Sequence, residues 1–534
     1  MPKKDKYLTC AVAFLLLLCA AHFLFSAYWI HFKSGMFYYQ RDDDMARIAQ
    51  ALRWSRRAWF RPDGEWLPFP TYLLGICLRF LPNPYSVPLY CGSLLSAASL
   101  VLVGLISLEL IPDKPMMCLL APALTASVGC FLAAGCFERI GISAGSEPFL
   151  WFFLLLGAYF WLMYRRLGSG FYLFASAAAF FLDSGTRYES WLFIGLLLPF
   201  AIWFFHAKRE KYWRRLAFVV ISVAYILIFI GGSEMHMPKL PMGGASGMPL
   251  SWDGIRLDFH GPPIGILRSF GYPVHLWFDM SPLLALLECA GAVSVLLRRP
   301  SWRWYPAWAA LYFLSLAAVS GIFGFSMDYP ARVLISLHLL LIPLACDFLG
   351  WLTPKAVPFL PAAAAAAIFI FSWDFDMPRI KDAGIIANSG QKETFVAAKA
   401  IHETEDELKI KPRLLFELQG GAGKNIYSFA PLQFAVWDRL ILDRKVLLND
   451  DGSLDEENNP SVFGRPPARL ARYLAAHDIG WIVAHSAKAS ASLRGLAVPV
   501  AEVGSTDIFE RGLSKIALAR CRRRVRKLLP ALSQ

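Results

Sequence analysis

Residues 42 to 44 are three consecutive aspartates, Asp42, Asp43 and Asp44, and they follow directly on the first long apolar run of the chain. Like charges a few ångströms apart repel and raise one another's pKa, so three carboxylates at the mouth of a membrane helix are costly to hold together. The chemistry they offer is proton abstraction by a carboxylate, with a neighbouring acid orienting the base or binding a metal. The plainer reading is a helix N-terminus. Met45, Ile48, Ala49 and Leu52 recur at helical spacing, and acidic residues favour the first turn. That spacing predicts a helix lying on the membrane surface, and the flanking Arg41, Arg47, Arg53, Arg56, Arg57 and Arg61 give it a basic surface suited to phosphate headgroups.

The elements that must position this cluster follow from composition. The chain has 534 residues, of which 56% are hydrophobic and 17% charged, with a mean hydropathy of +0.45. That is too apolar for a soluble protein of this size and describes a multi-pass membrane protein. Apolar runs predict about eleven spans, near 7–30, 84–111, 116–134, 147–164, 170–183, 190–205, 216–232, 279–297, 304–323, 331–350 and 356–372. The short stretch Pro70 to Leu81 reads as a half-inserted helix closing the first external loop. Lys3, Lys4, Lys114, Arg165, Arg166, the basic run from Lys208 to Arg215, Arg298, Arg299, Arg303 and Lys355 all fall on one side, which the positive-inside rule makes cytoplasmic. The net charge of +13 therefore reports orientation and not a nucleic-acid partner. Most of the ten cysteines lie in apolar runs, and no metal or disulfide spacing is present.

On this topology Asp42 to Asp44, Glu147, Arg187, Glu189, Asp328 and Arg332 share the non-cytoplasmic ends of their helices. Singly, each suits a snorkelling residue; jointly they describe a charged cleft at one membrane face. Such a cleft suits transfer of a sugar from a lipid phosphate. The phosphate is a good leaving group, so the reaction needs a carboxylate for the acceptor's proton and cations for the departing phosphate, for which arginine's planar fork is well matched.

Four passages carry a resemblance: Asp42-Asp43-Asp44-Met45-Ala46-Arg47, Trp66-Leu67-Pro68-Phe69-Pro70-Thr71-Tyr72-Leu73-Leu74, Ser146-Glu147-Pro148-Phe149 and Thr186-Arg187-Tyr188-Glu189-Ser190-Trp191. In these the sequence resembles the polytopic GT-C glycosyltransferases, which include protein mannosyltransferases, aminoarabinose transferases of lipid A and oligosaccharyltransferases. The resemblance implies an all-α membrane domain over residues 1–372, with its first external loop at 31–83, and a small α/β extracytoplasmic domain over 373–534. It implies a polyprenyl-phosphate sugar donor and a protein, lipid or polysaccharide acceptor, at the external face of what would be a bacterial inner membrane. The general base falls on Asp43 or a neighbour, since the triple Asp departs from the family's usual paired acids. Arg187 and Arg332 would contact the donor phosphate, and Glu147, Glu189 and Tyr188 would bind sugar hydroxyls or hold the arginines. Family members differ in metal use, so a divalent cation, Mg or Mn, held by Asp42 and Asp44, is compatible and not required. Arg187 and Glu189 also suit a structural ion pair fixing a loop.

Beyond residue 372 the pattern turns mixed and charged. A helix is expected around Glu393 to Ile401, a strand at Leu414 to Phe416, a helix over Ala468 to His477 and a strand at Trp481 to Val483, which together make an α/β domain. Gly420-Gly421-Ala422-Gly423-Lys424-Asn425 imitates a phosphate loop but has Leu418 where glycine is needed and Asn425 where Ser or Thr is required. Met235, His236, Met237, Met242 and Met248 could hold soft copper, yet they better suit a flexible lid that touches lipid or substrate. The basic tail from Arg520 to Lys527 reads by composition as a nucleic-acid or acidic-lipid patch or a solvated charge run. Two rivals stand beside the transferase: a transporter or flippase, whose ionisable residues should lie mid-span and not gather at one end, and a non-catalytic assembly subunit.

Overall fold

The computed structural model describes residues 3–28, 42–56, 67–84, 86–129, 137–236, 241–242, 248–249, 273–323, 330–353, 359–371, 389–417, 440–442, 461–503, 506–511 and 514–529, with side chains left out at some of these. The chain divides into two compact units: residues 1–29, 63–70 and 89–382, and residues 30–62, 71–88 and 383–534.

The first unit is helical because in lipid each backbone N–H and C=O must find its partner within the segment. It contains α1 (Lys3–Tyr28), most of α4 (Val87–Leu110), α5 (Leu120–Ala126), α6 (Phe137–Gly141), α7 (Glu147–Leu167), α8 (Gly170–Ser184), α9 (Glu189–Ala207) and α10 (Tyr212–His236). It continues with α11 (Pro273–Met280), α12 (Pro282–Arg298), α13 (Trp304–Phe323), α14 (Pro330–Leu352) and α15 (Leu360–Phe371). Most apolar runs expected to span fall on a helix, but the run expected at 116–134 gives a 3-10 turn, Pro115–Leu119, followed by the seven-residue α5, and its end at 130–134 lies outside the described residues. Among the described residues five helices are long and apolar enough to cross a bilayer by themselves, or six if the pair α11 and α12, bent by 109°, is one span.

Small residues set the closest approaches. Gly168, at φ +69, ends α7 in the left-handed region and lets α8 fold straight back, while a side chain at Gly157 would strike the Phe180 ring at 2.4 Å. The core between the helices is mostly aliphatic, with the large rings of Trp151, Trp161, Phe180, Phe193, Trp308 and Tyr312 buried in it.

The basic helix ends are knitted together. Tyr164 donates to Glu210 at 2.6 Å, Arg214 bonds the same carboxylate at 3.1 Å, and Arg166 pairs with Glu109 at 2.8 Å. Arg298 and Arg299 converge on Asp347 at 2.9 and 2.7 Å, and Lys114 caps the end of α14 through the carbonyls of Gly350 and Thr353. These partners satisfy charges that would otherwise be expensive near lipid.

The second unit holds α2 (Asp42–Arg56), most of α3 (Phe69–Phe80), α16 (Ser389–Leu408) and a mixed five-stranded sheet. The strands are β1 (Arg413–Phe416), β2 (Leu440–Leu442), β3 (Ile479–Ala484), β4 (Val498–Val503) and β5 (Thr506–Glu510), in the order β2-β1-β3-β5-β4. The first three are parallel, and β5 runs antiparallel to both β3 and β4. Every residue of β3 is buried, as a central strand covered on both faces requires. The helix Pro467–Ala476 packs Leu470 and Leu474 into the same core as Leu415 and Ile482. The expected helices and strands of this region are all present.

Candidate active site

On α2 the buried stripe is Asp44, Arg47, Ile48, Ala51 and Leu52, which is one helical face at i, i+3, i+4 spacing. The sequence pattern set Arg47 among surface cations for lipid headgroups. Its burial removes it from that surface and places a guanidinium one turn after a buried acid. Missing Arg47 is understandable, because an arginine at the edge of an apolar stripe is normally solvated. The side chains of Asp42 and Asp43 fall outside the described residues, although both positions lie in the first turn of α2.

The orientation of α2 is fixed from its other end. Trp54 packs on Tyr72 of α3 with ring centroids 5.5 Å apart, and Gly75 comes so close that a Cβ there would lie 2.5 Å from the Trp54 ring and 3.0 Å from the Ala51 carbonyl. Only a residue without a side chain permits this approach.

In the first unit the turn joining α8 to α9 brings Glu147, Arg187 and Glu189 together. Arg187 holds Glu189 through two nitrogens, Nε at 3.1 Å and Nη2 at 2.7 Å, and reaches Glu147 and Ser146 through Nη1 at 3.0 and 3.1 Å. Its side chain is 14% exposed, against 18% for Glu189 and 4% for Glu147. Ser146 occupies the N-cap position of α7 yet makes no side-chain cap; its hydroxyl accepts from Arg187 instead. With both carboxylates ionised, the three charged groups sum to one negative charge.

The turn itself is closed by local chemistry. Thr186 donates its hydroxyl to the Asp183 carbonyl at 2.6 Å, and the Trp191 indole donates to the Ser184 carbonyl at 2.7 Å. The Tyr188 ring meets Trp191 edge-on at 5.1 Å. Burial, with the Glu189 charge adding to it, pushes the Tyr188 phenol up to about 12, so it stays protonated and able to donate. Buried Asp183 has no local sequence signal beyond being an acid at the end of an apolar run.

The Arg187 cluster and the basic ends lie at opposite ends of α7. Eighteen residues separate Glu147 from Arg165, or ~27 Å of helix, close to the thickness of a bilayer's hydrocarbon core.

Among the other expected residues, Asp328 lies outside the described residues, and so does the Arg332 side chain, which belongs to α14. The phosphate-loop imitation at 420–425 lies outside them too, as do the side chains of Met235, His236, Met237, Met242 and Met248. Among the described residues no three His, Cys, Asp or Glu side chains gather as a metal site. One expectation needs correction: ionisable residues do not all gather at helix ends. Glu288 of α12 and His338 of α14 are fully buried mid-helix, with Nδ1 of the histidine 3.0 Å from both carboxylate oxygens.

No protein-family model matches the sequence, and neither does any curated protein. Solved structures do. ArnT from Cupriavidus metallidurans bound to undecaprenyl phosphate matches with a TM-score of 0.54 at 13% identity, over 94% of this chain and 98% of that one. Its apo form matches at 0.56 and 13%, over 93% and 99%. The chain has the GT-C glycosyltransferase fold. The oligosaccharyltransferase AglB from Archaeoglobus fulgidus, in complex with an inhibitory peptide and a dolichol-phosphate, is more distant at TM-score 0.46 and 11% identity, over 98% of this chain and 78% of that one. The GT-C fold and the apolar helices make the chain an integral membrane protein.

Proposed function

We propose that the protein transfers a sugar from a polyprenyl-phosphate donor to a hydroxyl or amide acceptor at the external membrane face, with the first-loop aspartates supplying the base. What supports this most is the burial of Asp44 and Arg47 on one face of α2 in a chain of GT-C fold. The acceptor's proton goes to one carboxylate of the triplet, Asp43 or a neighbour, and Asp44 is buried on the face of α2 that also carries Arg47. The acceptor attacks the anomeric carbon, the bond from that carbon to the phosphate oxygen breaks, and the phosphate leaves with the electron pair. A guanidinium beside the departing oxygens stabilises their charge. Arg47 is one candidate and Arg332 another.

Arg187 is a third candidate. It meets Glu189 through Nε and Nη2, and Glu147 through Nη1. A phosphate can therefore replace Glu147 and Ser146 at Nη1 while Glu189 keeps the guanidinium in place. Tyr188 and the released Glu147 then suit sugar hydroxyls.

The test is incubation of the purified protein with polyprenyl-phosphate sugars and protein, lipid and polysaccharide acceptors, with and without chelator. Asp43→Asn is expected to abolish transfer with expression and folding intact, and Asp44→Asn run beside it separates the two candidates for the base. Full turnover by both variants overturns the mechanism. The buried pair Glu288 and His338 favours the transporter reading. Movement of lipid-linked sugar across liposomes without any transfer to acceptor would decide for it.

A further inference from the structure

The C-terminal helix, Lys515–Leu528, carries a concentration of positive charge whose internal use can be read off its partners. Its inner face is apolar: Ala517, Cys521 and Val525 are buried. Two of its arginines are taken by acids of α16, since Arg520 pairs with Glu407, and Arg524 lies 3.3 Å from both Glu403 and Glu407. Arg522 is taken as well, through the carbonyls of Val500 at 3.0 Å and Pro499 at 2.8 Å. Those contacts satisfy the fold.

Lys515, Arg523, Arg526 and Lys527 remain, all exposed, and among the described residues none of them pairs with an acid. At 100° per residue they fall within one outward sector of the helix, together with Ala519 and exposed Ile516, and no carboxylate interrupts that sector. The inner and outer cations differ in kind: the inner ones neutralise α16, whereas the outer ones only repel one another unless a negative surface faces them.

We propose that this outward face docks on the anionic phospholipid headgroups of a bilayer. Charge complementarity calls for an anionic partner. The face has no aromatic side chain on which a nucleic-acid base could stack. Exposed Ile516 beside the lysines matches the arrangement of interfacial helices, in which apolar side chains enter the headgroup layer and cations stay at the phosphates. The same chain also carries membrane-spanning helices, so its C-terminal helix is tethered to a bilayer, and tethering raises the effective concentration of an otherwise weak contact. Four cations at a surface of anionic lipid make a contact that salt weakens strongly.

The experiment uses the full chain in nanodiscs, one set of phosphatidylcholine alone and one containing about a third phosphatidylglycerol, a content at which an anionic surface attracts basic segments. Acetylation rates of Lys515 and Lys527 are followed by mass spectrometry. Docking is expected to slow both several-fold in the anionic discs, and high salt is expected to restore them. The double variant Arg523→Gln/Arg526→Gln, which alters only outward side chains, is expected to lose most of the protection at an unchanged melting temperature. Equal rates in the two lipids overturn the proposal, as does protection that persists in high salt or in the double variant. Protection in phosphatidylcholine discs on addition of inorganic phosphate at matched ionic strength would also overturn it, by showing a site for the free anion.

Discussion

The backbone N–H of Phe69 donates to the carbonyl of Gly185 at 3.1 Å, which fastens the end of the first loop to the turn carrying Arg187. The contact is close on every side. A Cβ on Gly185 would lie 2.9 Å from the Cβ of Phe69 and 3.2 Å from the Tyr225 ring, although the glycine's φ of −89° is open to any residue. Steric room and not backbone freedom is therefore what requires glycine. Gly185→Ala should cost about 1–3 kcal/mol, the usual range for overpacking a filled site. A lowered melting temperature in detergent would show it, and an unchanged one would mean that the turn has slack.

The asymmetry in how Arg187 is held makes its two acids separable. Arg187 meets Glu189 through two nitrogens and Glu147 through one, so in double-mutant cycles its coupling to Glu189 should exceed its coupling to Glu147. Arg187→Lys should resemble loss of the arginine, because one ammonium cannot keep the paired contact with Glu189 while also reaching Glu147 and Ser146. Breaking a buried pair typically costs about 3–5 kcal/mol, and the partial exposure here puts the loss below that range. Equal coupling energies for the two acids would contradict the ordering.

What the sequence shows and what it hides divide along physical lines. Helices stand at most of the apolar runs, and β1 and β3 lie where short apolar runs predicted strands, because those signals are local; β2, β4 and β5 carried no such signal. The face that α2 buries is different. The apolar pattern gave Met45, Ile48, Ala49 and Leu52, whereas the buried side chains include Asp44 and Arg47. A helix with small apolar residues on several sides does not announce its inner face; whatever packs against it decides. The partners of Asp347 and Glu288 were likewise hidden, since Arg299 is 48 positions from the aspartate and His338 is 50 from the glutamate. The Arg187 cluster was legible only after the spans had been given a direction.

A pH dependence is expected at the turn between α9 and α10. The hydrogen bond from the Tyr164 hydroxyl is the main cause that holds the Glu210 carboxyl below the usual range, and Arg214 adds to it. A carboxylate whose pKa is depressed in the folded protein contributes stability above its unfolded pKa, about 4.3, and loses it as pH falls through the folded value. The wild-type protein should therefore melt above Glu210→Gln by a constant margin from about pH 6 upward. That margin should close as the pH falls below about 4. A margin that persists in acid would mean that shape and not charge sustains the contact.

Gly291 sets how closely α12 approaches α14. A Cβ there would lie 2.3 Å from both the carbonyl carbon and the oxygen of Leu344 and 2.7 Å from the nitrogen of Ala345, so the obstacle is backbone, which cannot rotate aside. Close approach of this kind is what small residues provide between membrane helices, where lipid is as apolar as the helices themselves and packing must supply the attraction. The same pairing holds Glu288 against His338 and brings Arg298 and Arg299 to Asp347, on either side of Gly291 along the two helices. Gly291→Ala must push the helices apart by several tenths of an ångström, and Gly291→Leu by more. Each step lengthens the Glu288 to His338 contact, and a buried carboxylate that loses its partner is far costlier than an exposed one. We expect a graded fall in melting temperature from glycine through alanine to leucine, with the leucine variant failing to accumulate in membranes. The double variant Glu288→Gln/His338→Gln separates packing from charge. If Gly291→Ala costs as much in that background as in the wild type, the clash is steric alone; a smaller cost would show that it acts by stretching the buried pair.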